Sequence, residues 1–390
     1  MNDPIYLDFA ATTPVDPRVL AAMQPYFSAE FGNPSSVHRW GQQAERALER
    51  ARRDVAAVLN CQPNEVIFTS GGSEADNLAL RGAALAAREA CGANHLITSP
   101  LEHSAVLSTL RQLRDHFDFT LTILPADNNG LIAPDDLACA IRPDTALVSI
   151  LAASGEIGTI QPLREIGRVT RARGVPLHVD AVGAAGRLAL SVDDRAIDLL
   201  TLSSNDLCGP PGAGALWVRH STVKLAPLVV GGGQEGGFRA GTENLPGIVG
   251  MAVAADLART EWPRETERLS GLRDRLIRGI TDTVPGARLT GAPGRERLPH
   301  HASFVLTRVK ADSILMDLDL HGIAASSGSA CTASTGEPSH VLRAIGCDAE
   351  EREGSLCFTL GRWTTASDID AVLEVLPLTV KRLRELAPTA

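Results

Sequence analysis

The chain has 390 residues, a formal net charge of −9 at pH 7, 44% hydrophobic and 21% charged residues. That length carries one large or two medium globular domains with a substantial core, and the acidic balance, without any basic cluster, excludes the dense cationic face that nucleic-acid binding needs. No apolar run approaches the ~18 residues of a membrane span, and "MNDPIYLDFAATTP" lacks the cationic start and apolar stretch of a secretory leader, so a cytoplasmic protein with no membrane partner is expected.

From residue 65 onward, short β-branched apolar runs alternate with helical patterns: "EVIFTS", "HLITS", "TLTILPA", "TALVSILAA", "PLHVDA", "LLTLSS" and "GALWV". Seven such runs, mostly separated by helices, predict a doubly wound α/β domain around a mostly parallel seven-stranded sheet. Residues 38–59, 73–90 and 103–116 have helical spacing of apolar residues and no internal proline. After "GGGQEGGFRAGTENLPG" the pattern becomes a long amphipathic helix over about 244–283, with a break expected at Trp262-Pro263. The remainder mixes strands and helices. A large domain over 16–258 and a smaller α+β domain built from 1–15 and 259–390 are expected.

Ligands in such sheets bind beyond the carboxyl ends of the strands, and several of those turns carry polar residues. "FTSGGSEADN" runs from a strand through Gly-Gly into a helix, so backbone N–H groups at Gly72 and Ser73 can face a phosphate ester, or Ser73 can simply cap its own helix. In "LEHSAV" His103 stands where a ring could stack on a flat cofactor, or be a partly buried polar residue. "LHVDAVG" ends a strand in Asp180, a carboxylate that needs a cation such as a protonated pyridine nitrogen, or structural hydrogen bonds. "TLSSNDLCGPPGAG" has the frame of a turn that presents a catalytic side chain, and the side chain presented is Asp206. "SSGSACTASTGEPSHVLRAIG" sets Cys331 among small residues, as an accessible nucleophilic thiol requires. The seven cysteines are odd in number and form no CxxC pair, so neither a disulfide framework nor a zinc ribbon is indicated.

Together, "IYLDFAATTPVDPRV", "FGNPSSVHRWG", "VIFTSGGSEADNLAL", "HVDA", "GGGQE", "RAGTEN", "SSGSACTAS", "EPSHVLRAIG" and "LGRWTT" resemble the cysteine desulfurases (NifS-like and IscS-like) of the class V aminotransferase family. These are fold-type I enzymes that use pyridoxal phosphate (PLP) to mobilise sulfur from cysteine. The resemblance spans essentially the whole chain and implies an aspartate aminotransferase-like fold. It implies that Gly72 and Ser73 hold the cofactor phosphate with Ser203, that His103 stacks on the ring and that Asp180 pairs with the ring nitrogen. Thr242 would reach the phosphate of a neighbouring subunit, which implies a homodimer, and Cys331 would receive sulfur as a persulfide for an acceptor or scaffold protein.

The departures from the family pattern gather in the pocket. Where the family has its Schiff-base lysine, in an "HK" pair before Gly-Pro, this chain has Asn205-Asp206. Two polar cofactor or substrate contacts are Gly155 and Gly183, the substrate-carboxylate arginine of the "RFSLGR" pattern is Cys357, and another arginine is Gly236. The chain has only three lysines, and the nearest in sequence, Lys224, lies beyond the following strand. The expectation is a desulfurase-like protein divergent in its catalysis, with PLP in doubt, that carries sulfur on Cys331 or holds an iron–sulfur cluster or metal on Cys331, Asp206, Cys357 and Cys208. Cys208 and Cys357 can equally be space-filling residues. A working PLP-dependent desulfurase, and a non-catalytic subunit that partners an active relative, are the alternatives.

Overall fold

The computed structural model describes residues 4–328 and 339–386. Among them are twelve strands: β1 (Ile5–Tyr6), β2 (Val66–Thr69), β3 (His95–Thr98), β4 (Thr120–Ile123), β5 (Thr145–Ser149), β6 (Leu177–Asp180), β7 (Leu199–Ser203), β8 (Gly214–Val218), β9 (Ala287–Leu289), β10 (His301–Leu306), β11 (Ile323–Ala324) and β12 (Ser355–Thr359). β2 to β8 are the seven apolar runs, and they form one sheet in the order β2-β8-β7-β6-β5-β3-β4. β8 is antiparallel to both its neighbours and the other pairings are parallel.

Alternation along each strand feeds two apolar layers, which is why the runs read as continuous rather than alternating. Leu199 packs with Leu78, Val106 and Leu110 from helices Gly72–Cys91 and Ser104–His116. Leu200 and Leu202 pack instead with Leu48, Val55, Met251 and Ala255 from helices Arg39–Leu59 and Leu245–Thr283. Burial on both faces fixes the register of the sheet. The carboxyl ends of β2, β3, β5, β6 and β7 are thereby held side by side.

A second core lies under a three-stranded antiparallel sheet ordered β12-β10-β9, with β1 and β11 paired in parallel beside it. Phe304, Phe358, Leu276, Ile280, Val372 and Leu376 fill it. The helix expected to break at Pro263 runs unbroken from Leu245 to Thr283. An internal proline removes one backbone hydrogen bond and crowds the preceding turn, at ~3 kcal/mol. Here Ile248, Met251 and Ala255 are buried in the first core and Leu269, Leu276 and Ile280 in the second, so packing at both ends offsets that penalty. No helix among the described residues is long and apolar enough to cross a membrane.

Candidate functional site

Helix Gly72–Cys91 begins beyond β2 with Gly71 at its cap, so no side chain bonds to its first N–H groups. Gly72 is required by close approach: a Cβ there would stand 2.9 Å from Val182 Cγ2 in the turn after β6. Ser73 is exposed and lines a cleft of ≈ 420 Å³ together with Asn77, His103 and Thr109. An uncapped N-terminus of a twenty-residue helix attracts an anion through both its free N–H groups and its dipole. His103 caps helix Ser104–His116, Nδ1 accepting the Ala105 N–H at 3.1 Å, and its ring stands exposed on the cleft wall.

Asp180 ends β6 with 7% exposure and accepts the Val182 N–H at 2.9 Å. Burial raises its pKa above the ordinary carboxylate value, against the Val182 bond and the nearby His103. Ser203, at the end of β7, is buried and hydrogen-bonded to Asp206 in the turn Asn205–Leu207. The Asp206 carboxyl is half-buried, and desolvation pushes it up to about 6 although Arg187 and Ser203 favour its charged form; Asp180 and His103 also act on it. The turn is tied to the N-terminal segment: Thr12 Oγ1 donates to Asn205 Oδ1 at 2.9 Å, and Thr13 donates to the Asn205 carbonyl. Cys208 closes it in the left-handed region, φ 61°, its carbonyl accepting the Asp16 N–H at 2.9 Å.

The phosphate, ring and ring-nitrogen candidates Gly72, Ser73, His103, Asp180 and Ser203 therefore lie at the carboxyl ends of β2, β3, β6 and β7, along one edge of the sheet, and Asp206 is tied to them through Ser203. Thr242 is exposed in the segment before helix Leu245–Thr283. Lys224, Lys310 and Lys381 are all exposed at the surface, and none of these lysines lines the cleft. Gly155 and Gly183 border open space: a Cβ on Gly155 would meet nothing within 4 Å, and one on Gly183 only the Ala153 carbonyl at 3.4 Å. Gly236 has φ +65°, a conformation that disfavours arginine.

The expected cluster of metal ligands is not assembled among the described residues, where no three His, Cys, Asp or Glu side chains are placed to hold a metal ion. Cys331 lies outside the described residues. Cys357 is buried on β12, its Sγ 3.3 Å from His301 Nε2, and burial raises its thiol pKa. Asp206 and Cys208 instead line a second cleft with Arg187, whose guanidinium favours the ionised form of Asp206. Cys208 is held by a backbone turn and Cys357 by a different sheet, so sequence proximity of soft ligands to the pocket does not bring them together.

Sequence reasoning missed Arg187, Glu102 and the pair Asp76 and His178. Asp76 is almost fully buried with His178 Nε2 3.6 Å from its Oδ1, and desolvation, then Asp180, raise its pKa. His178 bonds to Ser149 and Thr201 hydroxyls at 2.9 and 3.1 Å and is held neutral by burial, down to about 3. Arg187 lies in a turn without periodicity, and Glu102 reads as an ordinary acid ahead of a helix; neither has a sequence signal of its own beyond Glu102 preceding His103.

The residues present fit a phosphate ester and a flat ring, and they do not fit covalent anchorage of an aldehyde, since a carboxylate stands at the turn and all three lysines are exposed elsewhere. Residues 5–372 match the family model described as aminotransferase class V. A protein named cysteine desulfurase IscS from Clostridium botulinum is 44% identical over 389 residues, covering 100% of this chain and 97% of the relative. A solved structure of a NifS-like protein superposes with a TM-score of 0.88 at 33% identity, covering 98% of this chain and 99% of that one. DndA from Streptomyces lividans superposes with a TM-score of 0.75 at 35% identity, covering 91% of this chain and 99% of that one. Matched along nearly its whole length in sequence and in fold, the chain belongs to the class-V aminotransferase family and is cysteine desulfurase-like.

Proposed function

We propose that this chain is a cysteine desulfurase-like protein of sulfur metabolism that does not carry out covalent PLP chemistry and handles sulfur on Cys331. The observation that carries the reading is Asp206, a recessed carboxylate in the turn after β7, in a chain whose three lysines are all exposed. A nucleophilic amine is what links a PLP enzyme to its cofactor and positions a base for the substrate's α-proton; a carboxylate cannot form that link. Cys357 and the open space at Gly155 and Gly183 remove further contacts to cofactor and substrate.

In this reading the Cys331 thiolate takes the terminal sulfur from an external persulfide, the donor leaving as its own thiolate, and passes it to an acceptor protein. The chain works as a homodimer. A second reading, a subunit that completes the pocket of an active relative, is favoured by exposed Thr242 and by the exposed side chains of Phe27, Phe31, Val37 and Trp40.

The test is sulfide release from cysteine by protein purified without oxygen, with PLP in excess, alongside mass measurement of Cys331 after exposure to a small-molecule persulfide. No sulfide, with one sulfur atom gained on Cys331, is the expected result. PLP-dependent sulfide release from cysteine would overturn the reading.

A further inference from the structure

Arg187 and Asp206 face a common cleft of ≈ 70 Å³, walled by two turns and the middle of helix Leu245–Thr283 and separate from the cleft of Ser73 and His103. Gly186 lets the first turn reach it: the residue has φ +69°, and a Cβ there would stand 2.9 Å from Leu207 Cδ2 and 3.0 Å from Ala258 Cβ. The backbone of Arg187 is pinned on both sides, its N–H donating to the Ala184 carbonyl at 3.1 Å and its carbonyl accepting the Thr266 hydroxyl at 3.3 Å. Its guanidinium nevertheless makes no hydrogen bond or ion pair among the described residues. Burial lowers the pKa of that guanidinium, although Asp206 and Cys208 favour its charged form. Asp206 has Ser203 as its hydrogen-bond partner and forms no ion pair with Arg187. The other charges on the wall are already matched: Arg362 pairs with Glu261 and Asp16, Glu261 also with Arg18, and Glu265 with Arg268.

A cation and a carboxylate thus face one cavity without touching, and charges withdrawn from bulk water need partners. A plain anion would satisfy Arg187 and be repelled by Asp206, and a plain cation would do the reverse. A molecule that carries both charges a short distance apart satisfies both side chains at once. The cavity sets its size: at roughly 10–15 Å³ for each water-sized group, ≈ 70 Å³ holds about five to seven non-hydrogen atoms. We infer that this cleft binds the zwitterion of a small α-amino acid, between glycine and serine in size, with its carboxylate on Arg187, its ammonium on Asp206 and its side chain against Leu207, Trp262 and Leu360. The planar guanidinium can donate two parallel N–H bonds to the carboxylate, and the ionised acid accepts from the ammonium.

Three ligands of equal size separate the two charges: L-alanine carries both, isobutyrate replaces the ammonium by a methyl group, and L-alaninamide replaces the carboxylate by a neutral amide. Each is titrated calorimetrically into the full chain at about pH 7.5, above the value of about 6 to which burial pushes Asp206, with L-leucine as an oversized control. The expected result is L-alanine bound at least about tenfold more tightly than the other three, its advantage over L-alaninamide lost in Arg187→Gln and its advantage over isobutyrate lost in Asp206→Asn. Cys208, which lines the same cleft, reports the site in the wild-type protein even if those variants do not fold: L-alanine should slow its mass-resolved alkylation several-fold and leave exposed Cys91 unchanged. No binding of L-alanine, equal affinity for the three isosteres, L-leucine bound as tightly as L-alanine, preferences that survive both variants, or Cys208 left unprotected would overturn the inference. The titrations contain neither PLP nor cysteine, so PLP-dependent sulfide release would overturn the sulfur-handling reading and leave this one standing.

Discussion

Glu102 gives the structure its most direct thermodynamic test. It follows β3 as a fully buried side chain, Oε1 accepting the Ser99 hydroxyl at 2.6 Å and the Leu151 N–H at 2.9 Å, while Oε2 has no partner. Desolvation outweighs those two bonds and, with Asp180 nearby, pushes its pKa from 4.5 up to about 8. The folded protein therefore keeps a proton that the unfolded chain gives up. Such a group contributes full stability below its unfolded pKa and loses it progressively as pH rises to the folded one, at about 1.4 kcal/mol per pH unit. Across the window from 4.5 to about 8 the loss is of the order of 5 kcal/mol, reduced to about 2–5 kcal/mol if relaxation or water entry lowers the folded pKa. Glu102→Gln keeps an acceptor for Ser99 and Leu151 and carries no charge, mimicking the protonated acid. Urea denaturation of the two proteins should give similar stabilities at pH 5 and a variant more stable by about 2–5 kcal/mol at pH 8.5. Asp206 and Glu156, with pKa values pushed to about 6 and about 7, titrate in the same range but are common to both proteins, so they cancel in the difference. A stability difference that does not change with pH would refute the account of Glu102 as a neutral buried acid.

Glu235 is nearly buried, pairs through both oxygens with Arg52 at 2.8 Å and accepts the Phe68 N–H, so Glu235→Ala should lower stability by about 3 kcal/mol in denaturant titration, leaving the Phe68 N–H unpaired and Arg52 with only Glu49 and the Val66 carbonyl. Cys357 and Cys347 are buried with raised thiol pKa values, whereas Cys91 and Cys139 are exposed; mass-resolved alkylation at pH 8 should label the latter pair first, and early labelling of Cys357 would contradict its packing. Asp206→Lys alone should not restore sulfide release from cysteine, since Gly155, Gly183 and Cys357 still leave cofactor and substrate without contacts; turnover within about tenfold of an active desulfurase measured in parallel would show that the turn residue alone decides activity.

The sheet was legible because its strands carry their own signal. Buried on both faces, "LLTLSS" and "LHVDA" are mainly apolar, each with one buried polar residue inside (Thr201, His178), and it is their terminal residues, Asp180 and Ser203, that reach the site. Order of strands is not a local property, and the antiparallel insertion of β8 between β2 and β7 has no counterpart in the run "GALWV". Pro263 was misread for a related reason: its local preference is real, but two separate cores grip the helix on either side of it. The site divides in the same way. Gly72, His103 and Asp180 announce themselves at strand ends, whereas Arg187 becomes relevant only when the fold carries a turn seven residues beyond Asp180 to the side of Asp206. Proximity in the pattern also misled. Cys208 and Cys357 suggested shared ligands, yet one belongs to a turn beneath the N-terminal segment and the other to β12.

What distinguishes Asp206 from mere damage is its accommodation. A carboxylate placed at random beside Asp180 would face like-charge repulsion of the order of a few kcal/mol at the dielectric of such sites. Here Ser203 donates to it, Arg187 lies close enough to favour its ionised form, and the turn that carries it is fastened through Asn205 to Thr12 and Thr13. Those same features oppose an amine. A lysine at this position would meet Arg187 as a like charge and lose the acceptor that Ser203 now serves. Gly72 at an uncapped helix start and the buried Asp180 are the residues to which the proposed reading assigns the phosphate and the ring nitrogen. In the proposed reading, loss of covalent anchorage and retention of the phosphate and ring contacts are thus separable.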